Sequence, residues 1–185
     1  RGEMSSSVEV LMFHDVGEVK DYGPQKYSVT EEHFERVISS YAETHEFVSL
    51  EDVVAWLNGE KELHENAVAV TFDDGYLSTK EKALPVLEKF DAPATVYVPS
   101  NFLGVDSMYA FRLIHFLEKN EKIDFECNDE TFSFNPESLE DRRQAYNEIK
   151  GVLRNLTVSK RQGVMDRIGA GHTSAGRLMD EEDIK

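Results

Sequence analysis

Between Ala67 and Val98 the chain reads as strand, helix, strand, and no other feature restricts the fold as strongly. AVAVTF, Ala67 to Phe72, is a run of six residues without a charge. Such a run suits a strand buried on both faces, as in a parallel sheet. The stretch after it reads as a helix with Leu84, Leu87 and Phe90 on one face and Pro85 as a kink. Ser78 and Glu81 have the spacing of a capping box at its start. ATVYV, Ala94 to Val98, is the next strand. Two strands joined through a helix within about 30 residues form a βαβ unit, with parallel strands and a right-handed crossover.

The same pattern extends towards the N-terminus. VEVLMF, Val8 to Phe13, is again short and apolar and is expected to be buried on two faces. A helix follows with Phe34, Val37, Ile38 and Tyr41 as its apolar face and Thr30 as N-cap. FVSL, Phe47 to Leu50, reads as a short strand, and Val53, Val54 and Leu57 mark a short helix. Repetition of strand and helix from Val8 to about Asn120 predicts an α/β barrel or a doubly wound sheet.

Past Asn120 the pattern changes. Ile123, Phe125 and Cys127 alternate, then Phe132 and Phe134, around Asn128, Asp129 and Glu130, which predicts an antiparallel hairpin. Polar helical sequence runs from Glu137 to about Ile168, with Tyr146, Ile149, Leu153 and Leu156 as its apolar face. Residues 121–168 therefore read as an insertion or lid within a single domain spanning 1–185. GAGHTSAG, Gly169 to Gly176, is a loop, and MDEEDIK begins a helix.

Composition narrows the function classes. The chain has 185 residues, 40% of them hydrophobic, enough for a domain with a real core. Its 36 acidic against 20 basic residues give a net charge of -16, a surface that repels phosphate backbones and argues against a nucleic-acid partner. Such an excess fits a cell-surface protein or a salt-loving source. The one cysteine, Cys127, excludes an internal disulfide and a thiolate zinc cluster. No apolar run reaches the length of a membrane helix, about 18 residues.

Asp73 and Asp74 stand where an interior strand ends and its loop begins, the rim at which α/β sheets and barrels build their sites. Adjacent side chains there point to different sides, so one carboxylate can grip a metal while its neighbour accepts a proton. Gly75 permits the tight turn. The plain alternative is a solvated Asp-Gly turn, but the apolar strand before it and the helix after it favour a site. His14 directly follows the first strand and lies on the same rim. Tyr76, just past the turn, can reach the opening, with packing on the following helix the commoner role for such a ring. His33, His45, His64 and His115 read as solvated or packing residues, as does His172 in its loop. Trp56 and the hairpin phenylalanines can stack on sugar rings, with core packing the commoner role.

TFDDG, Thr71 to Gly75, resembles the signature of the polysaccharide deacetylase family. VLMFHDVG resembles that family's opening strand and loop, FVSLEDVVAWL its second unit, and ALPVLEKFDAPATVYVPSNFLG the helix and strand after the signature. The resemblance implies the first part of a distorted (β/α) barrel and a metal-dependent amidohydrolase acting on an acetylated polysaccharide or oligosaccharide. By position, Asp73 matches the catalytic base and Asp74 the aspartate metal ligand. The resemblance implies a site-lining role for His14, and Tyr76 is the further candidate to line the site. The metal implied is divalent, zinc first, with cobalt, nickel or iron as alternatives. The location implied is the cell envelope or the exterior, or the cytoplasm of a halophile. The family's two histidine ligands come from a downstream H-S/T-x-x-H pattern, and no such pair occurs here, since Gly176 stands four residues after His172. The expectation is therefore a chain truncated before that motif.

Two other classes compete. An inactive carbohydrate-binding remnant would explain the missing histidines. A magnesium site for phosphoryl transfer would also use strand-end carboxylates, but Gly75 occupies the second carboxylate position of an Asp-x-Asp nucleophile motif.

Overall fold

A computed structural model describes residues 7–100, 103, 108–127, 130–171 and 173–184. The chain divides into two compact units, one of Arg1–Val19, Tyr27–Gly104 and Leu178–Lys185, the other of Lys20–Lys26 and Val105–Arg177.

The first unit is built on β5 (Asn66–Phe72), whose residues after Asn66 are all buried. Strand β1 (Ser7–Phe13) runs parallel to it along its whole length, with Phe13 opposite Phe72. On its other side β5 pairs in parallel with β4 (Glu46–Phe47) near its start and with β6 (Ala94–Val96) near its end. The result is a mixed α/β architecture around a parallel four-stranded sheet. Two further short strands, β2 (Asp15–Val16) and β3 (Ser28–Val29), pair in parallel.

Helix α1 (Glu31–Ala42) starts where Thr30 accepts a hydrogen bond from the His33 amide, as its sequence predicts. It buries Phe34 and Ile38 against Val70, Phe72 and Leu87. Helix α2 (Leu50–Leu57) is capped by Ser49, and its Val53 packs with Ala67 and Ala69 on the opposite face of the sheet. Alternation along β5 thus gives each face a different helix to meet.

Strand β1 departs from the expected double burial. Leu11 and Phe13 pack into the α1 side, but Val10 and Met12 on the alternate face remain 50% and 61% exposed. The reason is position: among the described residues β1 pairs only with β5, and on this face only its Val8 packs against the α2-side cluster. Val54 and Leu57 of α2 are likewise exposed.

The expected capping box is not formed. Ser78 makes no side-chain cap bond, and the chain first winds as a π-helical turn, Thr79–Ala83, before α3 (Leu84–Lys89). Pro85 stands in the first turn of α3, where its missing N–H costs least. The C-terminal segment also differs from expectation: Asp180 accepts from the Glu182 and Asp183 amides and closes a short turn rather than starting a helix over the described residues.

The second unit has its own core. Helix α4 (Tyr109–Lys119) contributes Leu113, Ile114 and Leu117, and α5 (Leu139–Arg154) contributes Tyr146, Ile149 and Leu153. The predicted hairpin is present as β7 (Ile123–Cys127) and β8 (Glu130–Phe134), antiparallel, with Phe125 stacked on Phe132 at 4.9 Å. Asn128 and Asp129, read as its turn, lie outside the described residues. Ser138 and Asp141 form a true capping box on α5, and Thr157 caps α6 (Val158–Arg167). The buried guanidinium of Arg112 is satisfied by donating to the Ala170 carbonyl at 3.0 Å and to Gln162 Oε1 at 3.0 Å.

Candidate active site

The ladder between β1 and β5 extends one step past the strand end. The Asp73 amide donates to the Phe13 carbonyl at 2.9 Å, and the Tyr97 amide donates to the Phe72 carbonyl at 2.8 Å. The backbone entering the turn is therefore held from both sides. The chain then passes through two left-handed residues, Asp74 at φ 71° and Gly75 at φ 64°. An aspartate in that region costs about 1 kcal/mol, which its short polar side chain tolerates better than most. The second position needs glycine: a Cβ on Gly75 would lie 3.0 Å from Val98 Cγ1 and 3.3 Å from the Val98 Cα. We predict that Gly75→Ala lowers stability by about 2 kcal/mol from the φ penalty and this contact. A urea midpoint equal to that of the wild type would show that the turn is not held this way.

This turn separates the two aspartates in role. The half-buried carboxylate of Asp73 has no hydrogen-bond or ion-pair partner among the described residues. Asp74 Oδ2 lies 3.2 Å from His14 Nδ1, and the two side chains are 45% and 29% exposed. Solvent screening limits such a pair to about 1 kcal/mol or less, so it orients more than it stabilises. The His14 ring also stands 5.7 Å from that of Tyr27. Tyr76 is 3% exposed and forms an antiparallel bridge with Leu178, while the Met179 amide donates to the Gly75 carbonyl at 2.9 Å. The structure thus brings His14 to Asp74, leaves Asp73 open, and buries Tyr76 beside a distant segment of the chain.

The donors at the turn are one imidazole and carboxylates, chemistry that a borderline divalent ion accepts. They do not amount to a metal centre, because no group of three potential ligands occurs among the described residues. His172 lies outside those residues.

Asp15 and Ser28 were not singled out from sequence. Asp15, 8% exposed, accepts from Ser28 Oγ at 2.7 Å and from Ser78 Oγ at 2.6 Å. The available signal was a carboxylate between Phe13 and the fully buried Val16, directly after His14. An apolar groove of about 660 Å³ runs beside β6 between Leu84, Leu87, Ala94, Val96 and Met179, and neither Asp73 nor Asp74 lines it.

A sequence profile of the family "Polysaccharide deacetylase" matches residues 60–157, more than half of the chain. The matched span contains β5, the Asp73–Gly75 turn and the hairpin, and begins after His14. The chain belongs to the polysaccharide deacetylase family. Among solved structures it is similar to the Streptococcus pyogenes deacetylase PplD in complex with acetate, with 26% identity, 54% of this chain and 44% of that chain covered, and a TM-score of 0.44. It is also similar to a de-N-acetylase from Aggregatibacter actinomycetemcomitans, at 21% identity, 78% and 52% coverage and a TM-score of 0.40. IcaB from Ammonifex degensii matches at 17% identity, 96% and 93% coverage and a TM-score of 0.49. The chain spans about half the length of the first two. No curated protein sequence matches it.

Proposed function

We propose that the protein is a metal-dependent hydrolase that removes N-acetyl groups from an N-acetylglucosamine-containing surface or cell-wall polysaccharide. Its place would be the cell envelope or the exterior, and no described helix is long and apolar enough to cross a membrane. Residues 1–185 are read as one deacetylase-like domain, with 121–168 as an insertion in it.

The observation that carries this reading is the Asp73 carboxylate, without a side-chain partner among the described residues and held at the end of a buried strand beside Asp74. Asp73 would accept a proton from the attacking water. The water oxygen bonds to the acetyl carbon, then the carbon–nitrogen bond breaks as the nitrogen takes up the proton that Asp73 had accepted, so that acetate leaves and the sugar keeps a free amine. Asp74 would hold the ion, with His14 orienting that carboxylate and Tyr76 bracing the turn through its bridge to Leu178. A bound divalent ion would activate water and polarise the amide carbonyl. Zinc suits this donor chemistry, and cobalt, nickel or iron would serve a similar set.

The incomplete ligand set among the described residues favours a second reading, a carbohydrate-binding protein without turnover. One experiment separates the two. The purified protein is stripped with a chelator and assayed for acetate release from N-acetylglucosamine oligomers, before and after zinc, cobalt, nickel or iron is returned. Release abolished by the chelator and restored by at least one ion is the expected result. Retained oligomer binding with no release under any ion would establish the binding reading.

A further inference from the structure

We infer that Asp15 is a positioning residue that locks the Asp73–Ser78 turn onto the segment carrying His14. The segment Phe13-His14-Asp15 meets that turn at three points. At its start, the Phe13 carbonyl accepts from the Asp73 amide at 2.9 Å. In its middle, His14 Nδ1 stands 3.2 Å from Asp74 Oδ2. At its end, Asp15 Oδ1 accepts from Ser78 Oγ at 2.6 Å. Consecutive residues of one strand end thus hold the beginning, the centre and the close of the turn on another.

The end contact is built from buried parts. Asp15 is 8% exposed, and its second oxygen accepts from Ser28 Oγ at 2.7 Å, so both carboxylate oxygens are engaged. Ser78 Oγ also accepts from the amide of the fully buried Val16, at 3.4 Å. A carboxylate withdrawn from water needs such donors to replace its lost hydration. Ser78 leaves the helical turn after it uncapped because its own backbone is already helical, at φ -57° and ψ -27°, and its hydroxyl faces Asp15 and the Val16 amide instead of the turn's amides. The local capping spacing is overruled by contacts to a segment 63 residues away.

The consequence for chemistry rests on the deacetylase reading. Asp15 makes no hydrogen bond to Asp73 or Asp74 among the described residues, so its influence passes through Ser78. Loosening that end would let the two carboxylates shift relative to His14, and a displacement of about 1 Å at a reacting group can cost about a hundredfold in rate.

The test uses the whole chain and three serine variants beside Asp15→Asn. Ser78→Ala and Asp15→Asn are expected to lower kcat for acetate release about 10- to 100-fold with KM within about 3-fold. Ser78→Thr, which keeps the hydroxyl, is expected to recover most of the loss. Ser28→Ala, which removes the donor that does not reach the turn, is expected to lose clearly less than Ser78→Ala. Hydrogen exchange of residues 74–79 should quicken about tenfold in Ser78→Ala while residues 66–72 keep their protection. Equal losses in Ser28→Ala and Ser78→Ala, or no rescue by threonine, would overturn the inference. Unchanged exchange in the turn would do so independently of any activity. A wild-type protein that releases no acetate would instead sink the deacetylase reading, with exchange still deciding whether Asp15 holds the turn. Should Asp15→Asn not fold, the comparison of Ser78→Ala with Ser78→Thr decides the matter alone.

Discussion

Asp73→Asn is expected to reduce acetate release by about 10²- to 10⁴-fold, the usual contribution of a positioned general base, without changing the melting temperature by more than about 2 °C. The stability half of the expectation follows from the absence of any side-chain partner among the described residues, so an amide in place of the carboxylate breaks no hydrogen bond. The backbone bond that places the residue, from its amide to the Phe13 carbonyl, is indifferent to the substitution. Acetate release against time, with thermal unfolding of the same samples, checks both halves. Activity within a few-fold of the wild type would remove Asp73 from the chemistry. A large drop in melting temperature would mean that the carboxylate is structural.

Phe72→Ala is expected to have the largest effect on stability. Phe72 is fully buried, stacks on Phe13 at 5.6 Å and meets Phe34 at 5.7 Å, and these two rings are 5.0 Å apart from one another. Removing one ring from that trio forfeits its burial and leaves a cavity, a loss of about 3–5 kcal/mol. Against a typical stability of about 5–15 kcal/mol this is a large share, and the melting temperature should fall by roughly 6–20 °C. Val54→Ala, on an exposed face of α2, should change stability by less than about 0.5 kcal/mol. Thermal unfolding of the two variants side by side is the measurement. If Phe72→Ala melts no earlier than Val54→Ala, the aromatic trio is not the core that anchors the turn.

Much of the fold could be read in advance wherever a local pattern and its tertiary surroundings agreed. AVAVTF reads as a buried parallel strand because it has no polar face to present, and in the structure it has a neighbour on each side and a helix on each face. Thr30 and the alternating hairpin were legible for the same reason: the information lies within a few residues. Legibility failed where the deciding partner was remote. VEVLMF has the composition of an interior strand, but Val10 and Met12 face no covering layer. Ser78 and Glu81 have capping spacing, but Ser78 is already helical and its hydroxyl faces Asp15 and the Val16 amide.

The candidate site divides along the same line. That two carboxylates sit at a strand end was readable from Asp73 and Asp74 following an uncharged run and preceding Gly75, since backbone periodicity and turn chemistry are local properties. That Asp74 adopts a left-handed conformation, turns to His14 and leaves Asp73 without a side-chain partner among the described residues was not readable, because it depends on residues 60 positions apart. Sequence by itself determined the parallel strand, the turn and the chemical groups at its tip. Only the tertiary structure decided which group each of them faces, because hydrogen bonds and ion pairs act over a few ångströms and chain separation carries no record of which distant atoms come that close.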